Sequence, residues 1–203
     1  MRVISGTAKG RKLYAPRTHN IRPALDKVKG AIFNILFNVE GLRVLDLFAG
    51  TGAVGIEALS RGATHCTFVD AADEAVTIIR KNIALCSFED KAKLFPKRVD
   101  VALDYFAKHE QKFDLIFVDP PYLKDLVNPT LEKIVEAGIL APTGRIIVEH
   151  HPKEPIQSPI LANVPTYQRT NVLIATDQRK YGQTLISFLT SDFKQPFSLA
   201  DDK

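Results

Sequence analysis

The stretch Leu42-Arg43-Val44-Leu45-Asp46-Leu47-Phe48-Ala49-Gly50-Thr51-Gly52-Ala53-Val54-Gly55 constrains the fold more than any other part of the chain. It reads as a short buried strand, a glycine turn and a helix. That helix runs on through Ile56-Glu57-Ala58-Leu59 and stops at Arg61-Gly62, where glycine suits a C-terminal cap. The alternation then repeats. Strands are expected near 43–48, 65–69, 92–97, 113–118 and 145–149, and helices near 26–37, 52–61, 72–86, 99–109 and 125–139. Such alternation indicates a parallel sheet with right-handed crossovers and helices on both faces. Past Glu149, Pro152, Pro155, Pro159 and Pro165 mark an irregular connection. Val172 to Thr176 and Thr184 to Leu189 read as a closing antiparallel hairpin. The expectation is an α/β, Rossmann-like, mostly parallel seven-stranded sheet.

Gly50, Gly52 and Gly55 match the G-x-G-x-x-G pattern of dinucleotide sites, which is weak without context. Asp46 stands four residues before the first glycine, where its carboxylate would repel a pyrophosphate. A ligand with a cationic amino-acid end and a sulfonium-linked nucleoside would instead be welcome there. Asp70 ends the second strand about 20 residues past the glycine loop, a good place to accept hydrogen bonds from ribose hydroxyls. Asp100 follows the third strand and could reach an adenine amino group. Any one such aspartate is commonly an N-cap or turn residue. Three of them, each between a strand and a helix, fall where open α/β sheets bind ligands.

Asp119-Pro120-Pro121-Tyr122 follows the apolar run Phe113 to Val118. Proline has no backbone N–H, so the Pro-Pro pair leaves carbonyl acceptors without competing donors. Asp119 adds a charged acceptor, and Tyr122 offers a flat face for stacking. Such a cup fits a planar amine; taken alone, the tetrapeptide reads equally as a turn capping a strand.

These segments together resemble a class I S-adenosylmethionine-dependent methyltransferase of the amino-methylating kind. More narrowly, Asp46 through Ala63 resembles the bacterial 16S ribosomal RNA guanine-N2 methyltransferase family known as RsmD. Met1 to Gly6 with Lys9 to Leu13, Arg22-Pro23 with Phe33 to Leu36, and Lys180-Tyr181-Gly182 with Thr184 carry the same resemblance over about residues 1–190. The chain departs from the family pattern with Thr51 where serine is usual, with Ala24 after Arg22-Pro23, and with Ala72 where an acid is expected, although Asp73 follows. The resemblance implies S-adenosyl-L-methionine as cofactor, held by Asp46, Phe48, Ala49, Gly50, Thr51, Gly52, Asp70, Ala71 and Asp100. It implies methyl transfer to an exocyclic guanine amine at Asp119, Pro120, Pro121 and Tyr122. The roles of Phe33 and Asn34 stay open between target pocket and packing.

Charge divides unevenly along the chain. Residues 1–30 hold Arg2, Lys9, Arg11, Lys12, Arg17, Arg22, Lys27 and Lys29 against the single acid Asp26. The whole chain carries only +4, so the remainder is net negative. The first segment reads as a basic β-hairpin, Arg2 to Ser5 pairing with Gly10 to Tyr14. Arg2, Lys9, Arg11, Lys12, Arg17 and Arg22 are therefore the expected contacts to an RNA backbone. The expected layout is a single methyltransferase domain over 1–190, with the hairpin in 1–22, the catalytic core in 23–190 and a tail over 191–203. A soluble, cytoplasmic, monomeric enzyme is expected, acting on ribosomal RNA or a small-subunit assembly intermediate, without membrane or metal. Cys66 and Cys86 are far from any C-x-x-C and read as reduced core thiols. His150-His151 is not assigned to a metal, because successive strand residues face opposite ways. Other readings are an amino-methyltransferase acting on DNA adenine or protein glutamine, an RNA-binding protein without catalysis, and an NAD-dependent oxidoreductase.

Overall fold

The computed structural model describes residues 1–16, 23–161 and 172–192. Arg17, Arg22, Pro165 and residues 193–203 of the expected tail lie outside the described residues, while Ser191 and Asp192, expected in that tail, instead end the last strand, paired with Leu173 and Val172.

The chain builds α1 (Pro23–Leu36), β1 (Arg43–Leu47), α2 (Ala53–Ser60), β2 (His65–Val69), α3 (Asp73–Cys86), β3 (Ala92–Phe95), α4 (Val99–Lys108), β4 (Phe113–Val118), α5 (Val127–Ala137), β5 (Leu140–His150), β6 (Ile160–Leu161), β7 (Val172–Tyr181) and β8 (Thr184–Asp192). One sheet runs in the order β3-β2-β1-β4-β5-β8-β7-β6. The first five strands are parallel, and β8, β7 and β6 join antiparallel. The Rossmann-like sheet therefore has eight strands rather than seven. The extra one is the two-residue β6, where Ile160 and Leu161 pair with Leu173 and Val172 on the edge that the closing hairpin leaves open.

Apolar residues sit on both faces of the central strands, as a sheet covered twice requires. One cluster joins α1 and α2 to the sheet through Ile32, Phe33, Ile56, Leu59, Phe68 and Phe117. The other joins α4 and α5 through Leu103, Phe106, Leu131, Ile116 and Ile146. Phe33 is buried here, 5.8 Å ring to ring from Phe117, so it packs; Asn34 is exposed.

The N-terminal arm doubles back as a short antiparallel hairpin: Arg2 and Lys12 form a bridge, Val3 N–H donates to Arg11 O at 3.0 Å, Gly10 N–H to Val3 O at 2.9 Å and Leu13 N–H to Met1 O at 3.2 Å. Beyond Val3 a core carboxylate takes over the arm's N–H groups. Glu57 on α2 accepts Ile4 N–H at 2.8 Å and Ser5 N–H at 3.0 Å. Ser60 of the same helix accepts Ala8 N–H at 2.9 Å. Gly6 passes so close to Ser60 that a Cβ there would lie 1.7 Å from its carbonyl oxygen. The arm is thus stitched to α2, with Val3, Ala8 and Leu13 buried.

Candidate active site

The parallel register brings the strand-end acids together. Leu47 pairs with Val69 on one side and with Val118 on the other, and Val118 pairs with Val148. Asp70, Asp119 and Glu149 therefore leave their strands side by side, while Asp46 lies one residue short of the end of β1.

The turn after β1 is tight. Phe48, Gly50 and Gly52 all have positive φ, and at Gly52 the value is 72°. That left-handed backbone favours glycine. Gly55 serves a different need: a Cβ there would lie 2.3 Å from the Phe68 ring and 2.6 Å from the Cys66 sulfur, so only glycine lets α2 rest on β2. Asp46 Oδ2 accepts the Gly55 N–H at 3.0 Å. Asp70 accepts the Gly50 N–H through one oxygen at 2.8 Å and the Ala72 N–H through the other at 2.9 Å. Asn82 of α3 donates to Thr51 O at 2.9 Å and to Tyr14 O at 3.0 Å, tying the loop to the N-terminal arm.

A cavity of about 170 Å³ opens over this loop. Asp46, Phe48, Ala49, Gly50 and Thr51 line one side, Asp119 and Glu149 the other, and Met1, Lys29 and Ile32 close it from the arm and α1. Asp46 and Asp119 thus share one cavity. Lys29 is the one base on that wall among the described residues, and it is already engaged: Nζ lies 3.1 Å from Glu57 and donates to Arg2 O at 2.8 Å. Gly52 underlies the loop and is buried. Asp70 and Ala71 stand beside the loop, Asp70 joined to it through Gly50. Asp100 does not line the cavity. Its carboxylate is paired with Arg98 two residues earlier, at 2.9 Å and 3.1 Å.

Acids without a counter-charge crowd the cavity. Burial lifts the Asp46 carboxyl to about 7, partly offset by the Gly55 N–H and reinforced by Asp70. Asp119 is exposed at the cavity mouth by its outer surface. Its carboxyl group, crowded by protein atoms and then by Glu149 and Asp46, is still pushed well above the usual carboxylate range. Burial also raises Glu149. Acids that hold protons for want of a counter-charge give them up to an arriving cation, and their ionised forms would repel a pyrophosphate. The residues present therefore fit a sulfonium cofactor with an ammonium-bearing tail.

Pro120 is buried and Pro121 exposed. Tyr122 turns its hydroxyl to Glu149 Oε1 at 2.9 Å and lies 2.9 Å from Thr184 Oγ1 on β8. Burial and Glu149 hold its phenol above the ordinary value. Glu154 accepts the N–H groups of Leu123, Lys124 and Asp125 at 2.7, 3.1 and 3.0 Å, bracing the segment after Tyr122. His150 is buried, with Nδ1 2.8 Å from Glu154 O and Nε2 2.9 Å from Ser187 Oγ. Sequence reasoning missed Glu149 and Glu154. The signal for Glu149 was available, since it too is an acid at a strand's carboxyl end. Of the basic arm, Arg2, Lys9 and Lys12 are exposed, and Arg11 reaches back to Leu85 O at the end of α3.

A doubly covered parallel sheet, a glycine turn and a ring of strand-end acids define a methyltransferase of the Rossmann-like class. Residues 1–190 match the family model described as "Conserved hypothetical protein 95". The chain is 40% identical over 179 residues to "Putative rRNA methyltransferase YlbH" of Bacillus subtilis, covering 86% of this chain and 97% of that one. It is 35% identical over 151 residues to "Ribosomal RNA small subunit methyltransferase D" of Escherichia coli, covering 73% and 74% respectively. The solved structure "Putative methyltransferase yhhF from Escherichia coli" superposes with a TM-score of 0.76 at 27% identity, over 96% of this chain and 99% of that one. The chain belongs to this family, whose members include the small-subunit methyltransferase D proteins.

Proposed function

We propose that the protein transfers a methyl group from S-adenosyl-L-methionine to the exocyclic N2 amine of a guanine in 16S ribosomal RNA, as free RNA or in a small-subunit assembly intermediate. The observation that carries this reading is the shared cavity of Asp46 and Asp119 at neighbouring strand ends, one beside the glycine turn and the other opening Asp119-Pro120-Pro121-Tyr122. The names of the curated relatives support ribosomal RNA as the substrate class.

The cofactor supplies an electrophilic methyl carbon on a positively charged sulfur. The protein's part is to hold the amine and its charge. The lone pair of an exocyclic guanine amine is delocalised into the ring, which makes the nitrogen a poor nucleophile. Hydrogen bonds from the two N–H groups to Asp119 and the Pro120 carbonyl favour a pyramidal nitrogen whose lone pair faces the methyl. The amine proton released on transfer passes to Asp119 and on to solvent. The acids of the cavity stabilise the incoming cation, and catalysis comes from positioning and electrostatics. Tyr122 stacks on the base, and extruding that base from structured RNA costs a few kcal/mol. Arg2, Lys9 and Lys12 contact phosphates.

The test is methyl transfer to unmodified 16S RNA and to small-subunit particles, with the product nucleoside read by mass spectrometry. N2-methylguanosine is the expected product. Asp119→Ala is expected to lose turnover at least 100-fold while binding S-adenosylhomocysteine nearly as well as the wild type. Retained turnover removes Asp119 from its role.

A further inference from the structure

Glu149 stands on the cavity wall and has no contact to the base in the mechanism above. The β4–β5 register places it beside Asp119 on the next strand, about 4.8 Å away along the hydrogen-bonding direction. One of its oxygens, Oε1, accepts the Tyr122 hydroxyl at 2.9 Å, and the same hydroxyl lies 2.9 Å from Thr184 Oγ1. The carboxylate is therefore held by Tyr122, whose hydroxyl Thr184 of β8 in turn positions. Its second oxygen, like both oxygens of Asp119, has no side-chain or backbone donor among the described residues. The wall thus offers two adjacent, unfilled acceptors.

Nucleobases that carry an exocyclic amine differ in what stands next to it. Beside the amine, adenine and cytosine present a ring-nitrogen lone pair, which a carboxylate repels. Guanine presents N1–H, a donor. Two neighbouring acceptors match the paired donors of guanine and no other common base. We propose that Glu149 is the residue that selects guanine: its free oxygen accepts N1–H while Asp119 holds the N2 amine. Tyr122 then also keeps Glu149 turned toward the base. This assignment rests on the guanine-N2 reading and sharpens it, because it locates discrimination on a residue apart from the one that serves the reacting nitrogen.

The test compares guanosine with 2-aminopurine at the modified position of the same RNA. 2-Aminopurine keeps the N2 amine and replaces N1–H with a lone pair. The wild type is expected to favour guanosine by about 100-fold or more in kcat/KM, because a site built to bond an N–H rejects the analogue lacking it. In Glu149→Gln the Tyr122 hydroxyl engages the amide oxygen and leaves the amide NH2 facing the base. That change turns an acceptor into a donor. Guanosine turnover should fall, and the preference should collapse to within about tenfold or invert. Thermal midpoint and far-UV circular dichroism serve as folding controls. Glu149→Asp, which keeps the charge, should retain the guanosine preference at a lower rate.

Equal losses on both substrates in Glu149→Gln indicate a merely structural residue and overturn the assignment. So does a wild type that accepts 2-aminopurine within tenfold of guanosine, a result that does not depend on any variant folding. A wild type that methylates neither base, with cofactor binding intact, removes the guanine-N2 reading itself and this assignment with it. A wild type that methylates guanosine without an altered ratio in Glu149→Gln leaves that reading standing and removes only the role of Glu149.

Discussion

Asp46 is only 3% exposed, and its carboxyl titrates near 7 because burial outweighs the Gly55 N–H that steadies its charged form. A cation arriving in the cavity favours the ionised carboxylate, so binding must release the proton that Asp46 holds below its pKa. The sign follows: affinity for S-adenosylhomocysteine should rise with pH, by up to about tenfold per unit below pH 7, and level off above it. Calorimetric titration from pH 5.5 to 8.5 measures this, and Asp46→Asn should lose much of the slope. A slope unchanged in that variant would place the linked proton on Asp119 or Glu149. Glu57 makes a second case at this scale. It is fully buried and takes Lys29, Arg61, Ile4 N–H and Ser5 N–H on one carboxylate. Glu57→Gln leaves the Lys29 ammonium buried without a counter-charge, so roughly 3 kcal/mol of unfolding free energy should be lost in urea denaturation.

At the scale of elements, the segment between β4 and α5 is held by a residue from another connection. Leu123 and Asp125 adopt positive φ, a strained state for side chains with a Cβ. Three N–H groups aimed at the Glu154 carboxylate offset that strain and hold its carboxyl below the usual range. Glu154 is itself positioned by the hydrogen bond between its carbonyl and buried His150. Glu154→Gln offers one acceptor oxygen where two served three donors. kcat is expected to drop about 10- to 100-fold through displacement of Asp119 and Tyr122, with S-adenosylhomocysteine affinity held within about twofold. Single-turnover rates and calorimetry separate the two effects. This brace also illustrates what the sequence makes legible. The strands, crossovers and glycine turn follow from local periodicity and from the φ that Gly52 must adopt, and those features place Asp46 and Asp119 at strand ends without further information. Glu149 and Glu154 gain their meaning from the β4–β5 register and from a contact about 30 residues away, which no window of sequence contains. Asp100 pairs with Arg98 two residues earlier, a contact set by the start of α4 rather than by the strand-helix alternation that singled Asp100 out. The N-terminal hairpin stays short where Glu57, more than 50 residues further on, takes the Ile4 and Ser5 N–H groups.

Across the whole molecule the charges segregate. Acids crowd the strand ends that form the cavity, while exposed Arg2, Lys9 and Lys12 cover the arm that Met1 leads to the cavity edge. A polyanion is repelled by the first region and attracted by the second, so backbone contact and base capture should occur at different places on the protein. That division demands an arm whose position is fixed relative to the cavity. The bonds from Glu57, Ser60 and Asn82 provide it, running from α2 and α3 into residues 4–14. If the arm supplies phosphate contacts, replacing Arg2, Lys9 and Lys12 with glutamine should weaken RNA binding at low salt. It should also flatten the dependence of log K on log[salt] by about 2 to 3, since each neutralised phosphate contributes about 0.7 to 0.9 to the slope. S-adenosylhomocysteine affinity should not change, because none of the three side chains reaches the cavity. Filter binding of a 16S RNA fragment between 50 and 300 mM salt gives the slope. A triple variant with the wild-type slope would assign the arm to folding alone and move the RNA footprint elsewhere on the surface, whereas a reduced slope with unaltered single-turnover methylation at saturating RNA would confine the arm to capture and leave the chemistry to the strand ends.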